Sequence, residues 1–458
     1  TVGFNAGKFN SLTNVQYNNV DTYGVDNPGD FSTVFGSRVW NFKERLIYHP
    51  LETLKLTARA GYYFRERNKP GDTQDRYRDF NGGLKANYTF NTLSNLEVGY
   101  TFDQYDKSDY QVLYKNDVRD YSNVQHNVHA LYNYTFNEKH TLTVGADYLR
   151  DYLMSYQFTD NANYIMHTAD AFGQFDWNPT ERLNVIAGLR FDYFSDSNVR
   201  HLSPHLGMMY KIGNCSLRGS YSQGFRSPTL KEMYMVFNMV NMMMIYGNPD
   251  LKSETSHNFS LSAEYTKNRY NFSVTGYYNL VHNRINTVYS DDPKGQIYTN
   301  TDKVDIAGVD ANISAKYPCG LGFRMSYTYI HEFMRDGQKK FTDTRPHTAT
   351  VRVDWGENLD KVDFNYSLNG RILSEVKTNV YNDSFNNPAA GSTAVTYPGY
   401  MIWDLTFSVG VFKGVNMNLA INNLFNYVPD YYYFNSPTTT GANLTLGLSL
   451  DIDRFFKK

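Results

Sequence analysis

Leu54-Lys55-Leu56-Thr57-Ala58-Arg59-Ala60-Gly61-Tyr62-Tyr63-Phe64-Arg65 alternates apolar with polar side chains along almost its whole length. Leu54, Leu56, Ala58, Ala60, Tyr62 and Phe64 share one parity, and Lys55, Thr57, Arg59 and Arg65 share the other. Successive side chains of an extended chain point to opposite faces, so this stretch is a strand with one apolar and one hydrated, cationic face. The same period recurs at Leu183, Val185, Ala187, Leu189 and Phe191, at Phe259, Leu261, Ala263 and Tyr265, and at Leu444, Leu446, Leu448 and Leu450. Strands of soluble sandwiches and propellers usually run about five or six residues. Longer alternating runs with aromatic ends match the tilted spans of a membrane barrel, which need about 9–11 residues each.

Composition agrees with that reading. Hydrophobic residues make up 41% of the 458 residues, and mean hydropathy is −0.55. No uninterrupted apolar stretch approaches the roughly 18 residues of a membrane helix. A barrel passes this test because only every second residue of a strand faces lipid. The 40 Tyr and 30 Phe raise aromatics to 16%, as interfacial girdles require. Length alone suggests two or three domains, but a barrel grows as one closed sheet, so one domain over 1–458 is expected. The net charge of −2 and the lack of basic runs support neither a nucleic-acid partner nor a polybasic membrane patch, so no nucleic acid is expected. The opening Thr1-Val2-Gly3-Phe4 has no Met, charged n-region or apolar h-region, so a secretory signal is expected to have been removed. Cys215 and Cys319 are too few for a disulfide framework.

Connections alternate between tight and long. Tight ones include His49-Pro50, Asn137-Glu138-Lys139, Asn178-Pro179-Thr180-Glu181, Ile212-Gly213-Asn214, Thr266-Lys267-Asn268, Tyr317-Pro318-Cys319-Gly320 and Lys413-Gly414. Long ones fall near 23–33, 67–76, 108–121, 158–162, 197–201, 225–254, 286–296, 335–344, 377–397 and 426–440. Short periplasmic turns alternating with long extracellular loops are the outer-membrane pattern. Strands then start near 1, 9, 34, 52, 76, 94, 122, 140, 163, 182, 202, 214, 255, 269, 296, 321, 345, 361, 398, 414 and 441, 21 in all. Bacterial single-chain barrels close with an even number of antiparallel strands. The expectation is an all-β transmembrane antiparallel barrel of the 22-stranded type, with 21 strands present and one preceding Thr1. Barrels of that size normally hold a plug.

Gly224-Phe225-Arg226-Ser227-Pro228-Thr229-Leu230-Lys231-Glu232 and Tyr246-Gly247-Asn248-Pro249-Asp250-Leu251-Lys252-Ser253-Glu254 resemble the paired boxes around a long extracellular loop of TonB-dependent receptors, most closely haem receptors. Asn423-Leu424-Phe425-Asn426 resembles the segment closing the penultimate strand of that family. The resemblance covers essentially the whole chain. It implies an N-terminal plug with a segment contacting the TonB complex, both absent from residues 1–458, outer-membrane lipid around the barrel, and a surface lipoprotein as a candidate partner. Two departures stand out. Ser227 replaces the usual Ala, and residues 229–247 lack the His that often ligates haem. That interval holds Met233, Met235, Met239, Met242, Met243 and Met244 instead. Methionine is flexible and polarizable, and its thioether can serve as an axial haem ligand or bind Cu(I).

Other constellations are weaker. His126 and His129 look like a metal pair, but an offset of three puts them on opposite faces of a strand, which argues against a joint site. His282 and His331 lie near strand tops, where a histidine reaches either a ligand in the mouth or, more often, solvent. Arg59, Arg65, Arg190 and Asp192 fall on the non-lipid parity. Asp291-Asp292 precedes Pro293 as an ordinary turn. No nucleophile elbow or phosphate loop occurs, so no catalysis and no catalytic cofactor is expected.

Taken together, the sequence predicts an outer-membrane receptor for a large scarce nutrient, haem first, with cobalamin or a ferric siderophore next and a passive porin as the alternative class. The expected ligand-contacting residues are Phe225, Arg226, Pro228, Met239, Met242, Met243, Met244, Tyr246, Asn248, Pro249, Asp250, Leu251 and His331. Cys215 and Cys319 are expected about three strand spacings apart, too far to bridge.

Overall fold

The computed structural model describes residues 1–24, 33–195, 197–239, 243–301, 303–334, 339–342, 344–359, 362–383, 386–412, 414–429, 439 and 441–452. A single sheet holds 21 strands, from Val2–Ala6 to Asn443–Leu450, and every neighbouring pair is antiparallel and consecutive in the sheet's chain order. Such an up-and-down meander needs no crossover, so each strand's register is fixed locally by its turn and its alternation. Among the described residues the first and last strands each pair with one neighbour only.

Register joins the apolar parities into one continuous face. Leu46, Ala58, Leu84, Tyr100, Val128, Tyr148 and Ala169 stand opposite one another across seven strands. Leu183, Tyr210, Leu217, Ala263, Val274, Ala311 and Tyr327 continue the row further along. Val353, Leu368, Leu405, Ile421 and Leu444 carry it to the last strand. Leu261, Leu446 and Leu448 on this face remain 73%, 67% and 76% exposed. Each leucine left in water would forgo roughly 1.5–3 kcal/mol of burial, a deficit that lipid removes.

The opposite face carries charge held in pairs. Glu97 meets Lys85 at 3.0 Å and His129 at 3.3 Å, and Arg190 meets Asp170 and Asp192 at 2.9 Å each. Lys55, Arg59, Arg65 and Arg190 have the parity expected of them. This face is the concave one, and the segment following the strand Cys215–Arg226 folds back onto it three to four strands away.

The connections at one end are tight, and several use left-handed residues: Gly7, Asn137, Glu138, Gly213 and Asn268 all have φ between 48° and 57°. Four expectations about boundaries change. His49 and Pro50 belong to the strand Ser37–Leu51, and the turn falls at Glu52-Thr53, after a register shift near Leu51. The expected loops 67–76 and 108–121 are strand instead: Leu54–Lys69, Thr73–Asn91, Ser94–Gln111 and Asn116–Phe136 run past the apolar band and turn tightly. Cross-strand ion pairs such as Arg67 to Asp75 at 2.6 Å hold these extensions straight. The strand expected from 296 starts at Val304, and Lys294–Thr301 joins a separate sheet. Finally, the strand expected from 34 starts at Ser37. Cys215 and Cys319 are both free thiols, as their placement requires.

Candidate functional site

The strand Cys215–Arg226 delivers the chain to the mouth, and Arg226 fixes its departure. One guanidinium nitrogen meets both oxygens of Glu232 at 2.8 Å, while the others reach Glu254 at 2.9 and 3.2 Å. Phe225 stacks on His201 with centroids 4.3 Å apart, and Pro228 is fully buried. Ser227 bonds Ser197 at 3.0 Å.

Thr229 then caps the short helix Leu230–Tyr234 in a reciprocal box with Glu232. Leu230 and Met233 are buried against Leu153 and Phe158, with Tyr121, Tyr164, Met166 and Tyr234 around them. By register Leu153 and Tyr164 belong to the polar, concave face, so the helix packs inside the mouth against nearby strands. Burial pushes the Lys231 ammonium below its ordinary range.

A hairpin, Val236–Met239 with Met243–Tyr246, follows the helix. Ile245 and Tyr246 pair in parallel with Gln296 and Ile297 of the hairpin Arg284–Asp291/Lys294–Thr301, making one four-stranded sheet from two loops. Gly247 is required where it is: a Cβ there would lie 2.6 Å from the Met233 backbone. The Asn248 amide donates to the Glu232 carbonyl at 2.8 Å, its side chain donates to the Tyr298 carbonyl at 3.1 Å, and its Oδ1 accepts from the Asp250 amide. Asn300 ties in the rest, accepting from the Lys252 amide at 2.7 Å and donating to the carbonyls of Lys252 and Asn283 at 2.8 Å each. Leu251 is buried, whereas Pro249 and Asp250 are exposed.

The expected ligand residues therefore divide by surroundings. Phe225, Arg226, Pro228, Asn248 and Leu251 engage their own chain, as do the buried Met233 and Met235. Met239, 40% exposed, stands opposite Met243 on the hairpin beside Met244 and Tyr246. Met242 lies outside the described residues. His331 is turned away from the mouth: its register partner is Ala307, itself opposite Tyr278, on the apolar face, and its ring meets Phe333 edge-on at 4.7 Å. His282 is on the same apolar face beside His257. Strand tops offer two faces, and parity decides between them.

Sequence reasoning missed an inner wall of tyrosines. Tyr77, Tyr105 and Tyr121 stand on the concave face of three adjacent strands, with centroids 6.4 and 6.0 Å apart in succession. Arg65 lies over Tyr77, Lys231 over Tyr121 and Lys107 over Tyr156, at 5.9, 4.9 and 5.1 Å. Tyr156 in turn meets Phe237 of the methionine hairpin at 5.7 Å. Cation and ring together suit a flat ligand that carries negative charge. Among the described residues no three His, Cys, Asp or Glu side chains gather to hold a metal.

The apolar belt, the charged interior and the long antiparallel meander define a multi-strand barrel of the outer membrane. More narrowly, the chain belongs to the TonB dependent receptor-like, beta-barrel family, which it matches over residues 3–424. It is 24% identical over 297 residues to the iron-regulated outer membrane virulence protein of Vibrio cholerae, covering 60% of this chain and 43% of that one. It is 22% identical over 335 residues to the heme/hemopexin utilization protein C of Haemophilus influenzae, covering 62% and 44%. The chain thus spans less than half the length of these relatives. Its fold resembles the siderophore receptor PirA of Acinetobacter baumannii, with a TM-score of 0.73 and 16% identity over 92% of this chain and 72% of that one.

Proposed function

We propose that the chain is the barrel of a receptor for active uptake of an iron complex, with haem as the ligand. The observation that carries this reading is the run of Tyr77, Tyr105 and Tyr121 on the concave face, with Arg65 and Lys231 against its rings, and beside it Tyr156, which touches Phe237 of the hairpin that bears Met239, Met243 and Met244. Aromatic rings and thioethers mould to a flat macrocycle, and Arg65 and Lys231 match its carboxylates, whereas Lys107 is held by Asp120. A plug and TonB-driven opening belong to the same reading through the family, as does a further strand supplied from outside residues 1–458.

A ferric catecholate siderophore is the second reading, since the same wall suits its anionic rings and PirA supplies a structural likeness. Titrating the full-length receptor with haem, then competing with a ferric tris-catecholate, separates the two. Haem binding with a shifted absorption band supports the first reading. Tight siderophore binding without any haem spectrum removes it, and free diffusion of small solutes through the intact receptor removes both.

A further inference from the structure

On the lipid-facing surface, four tyrosines each meet a histidine Nδ1 from the adjacent strand: Tyr100 with His126 at 2.9 Å, Tyr148 with His167 at 2.7 Å, Tyr221 with His257 at 2.9 Å and Tyr327 with His347 at 2.7 Å. In every pair the rings are nearly parallel, with centroids about 6 Å apart. With the phenol as donor, the imidazole proton sits on Nε2, directed away from the tyrosine.

Two of these pairs flank a cation. Arg150 is the register partner of His126 on one side and of His167 on the other, so three basic groups stand in one row across three strands. Arg150 is half-buried, and no hydrogen bond or ion pair engages its guanidinium among the described residues. A carboxylate further up this face, Asp106, is taken by Gln104 and Arg119. The other two pairs lack this arrangement, since His257 stands opposite Gln223 and Leu280, and His347 opposite Tyr329.

Height gives the row its context. About ten residues of tilted strand separate the His140 end from Arg150, a climb of roughly 25 Å, which is the height of a barrel's apolar band. The row therefore stands where acyl chains give way to headgroups on the extracellular side. A free guanidinium between two N–H donors, spaced by about 4.8 Å strand steps, matches the oxygens of a phosphate.

We propose that His126, Arg150 and His167 bind a phosphate group of an outer-leaflet glycolipid. Tyr100 and Tyr148 are positioning residues that set the imidazole tautomer and orientation. This site is independent of the ligand reading above.

The test is native mass spectrometry of the full-length receptor, delipidated in detergent and incubated with a bisphosphorylated lipid A, with the same lipid after phosphate removal, or with inorganic phosphate. The phosphorylated lipid should be retained, and the dephosphorylated one at least tenfold less. Arg150→Gln should lower retention by a similar factor and Arg150→Lys should restore most of it, while His257→Gln leaves it unchanged. Equal retention of both lipids by the parent overturns the proposal even if a variant folds poorly. Undiminished retention by a folded Arg150→Gln variant also overturns it, as does displacement of the lipid by equimolar inorganic phosphate, which would make the row a soluble-anion site.

Discussion

The ring of Tyr234 lies flat on Tyr164, centroids 3.9 Å apart and planes 5° from parallel. One ring belongs to a loop helix and the other to the inner wall of the barrel, so this stack docks the loop. Tyr234→Ala removes the stack and part of the cluster beneath it, at a cost of about 2–4 kcal/mol. Proteolysis between residues 234 and 246 should then accelerate at least tenfold while the strands stay protected. Unchanged cleavage would place the anchor elsewhere.

Arg226 holds two carboxylates from either end of the same loop. Arg226→Met leaves Glu232 and Glu254 without their shared cation, a loss of about 2 kcal/mol for hydrogen bonds to charged groups. The Ile285 amide, which donates to Glu254 at 2.6 Å, reports on it. Its hydrogen exchange should quicken roughly 30-fold. Protection equal to that of the parent would show that the clamp is redundant.

Parity assigns Leu56 and Leu448 to lipid and Lys55 and Arg59 to the interior. Fluorophores on single cysteines at these positions, in a background with Cys215 and Cys319 replaced by Ser, should be quenched by nitroxide-labelled acyl chains at 56 and 448 only. Quenching at 55 or 59 would reverse the register of the sheet.

Replacing Met239, Met242, Met243 and Met244 together with Ala should weaken haem binding by the full-length receptor roughly tenfold or more, about 1.4 kcal/mol, and move its absorption bands. Titrations that overlay those of the parent would exclude the hairpin as a ligand surface.

Both thiols should react with a disulfide-exchange reagent without prior reduction, Cys319 faster than the less exposed Cys215. Detecting fewer than two reactive thiols in the denatured chain would contradict the strand order.

Much of this molecule is written in period two. Leu54 to Phe64 and Leu444 to Leu450 declare their faces because water and lipid enforce alternation residue by residue, and the sides of the turns follow. Parity also parted His126 from His129, which the structure places with Tyr100 outside and Glu97 inside. The same rule, applied to His331 beside Phe333, would have turned that histidine outward. Loop structure was not legible, because Ile297, Tyr298, Thr299 and Thr301 favour a strand wherever it lies, and only the parallel partner, Met243–Tyr246, reveals where Lys294–Thr301 belongs. The tyrosine wall escaped notice for a related reason: aromatic residues suit girdles and ligand walls alike, and the distinction between Tyr100 and Tyr105 is one of parity alone. Arg226 and Asn248 stand out in the sequence without disclosing that their work is to tie one loop to another.

Asn300 bonds Lys252 and Asn283 at once, and the backbones of Met243–Tyr246 and Lys294–Thr301 run side by side. Two segments nearly fifty residues apart are in this way joined into one small sheet above the strand tops. A push on the methionine hairpin cannot be absorbed by that hairpin alone. Displacing Ile245 or Tyr246 strains the pairing with Gln296 and Ile297, so the placement of each hairpin constrains that of the other.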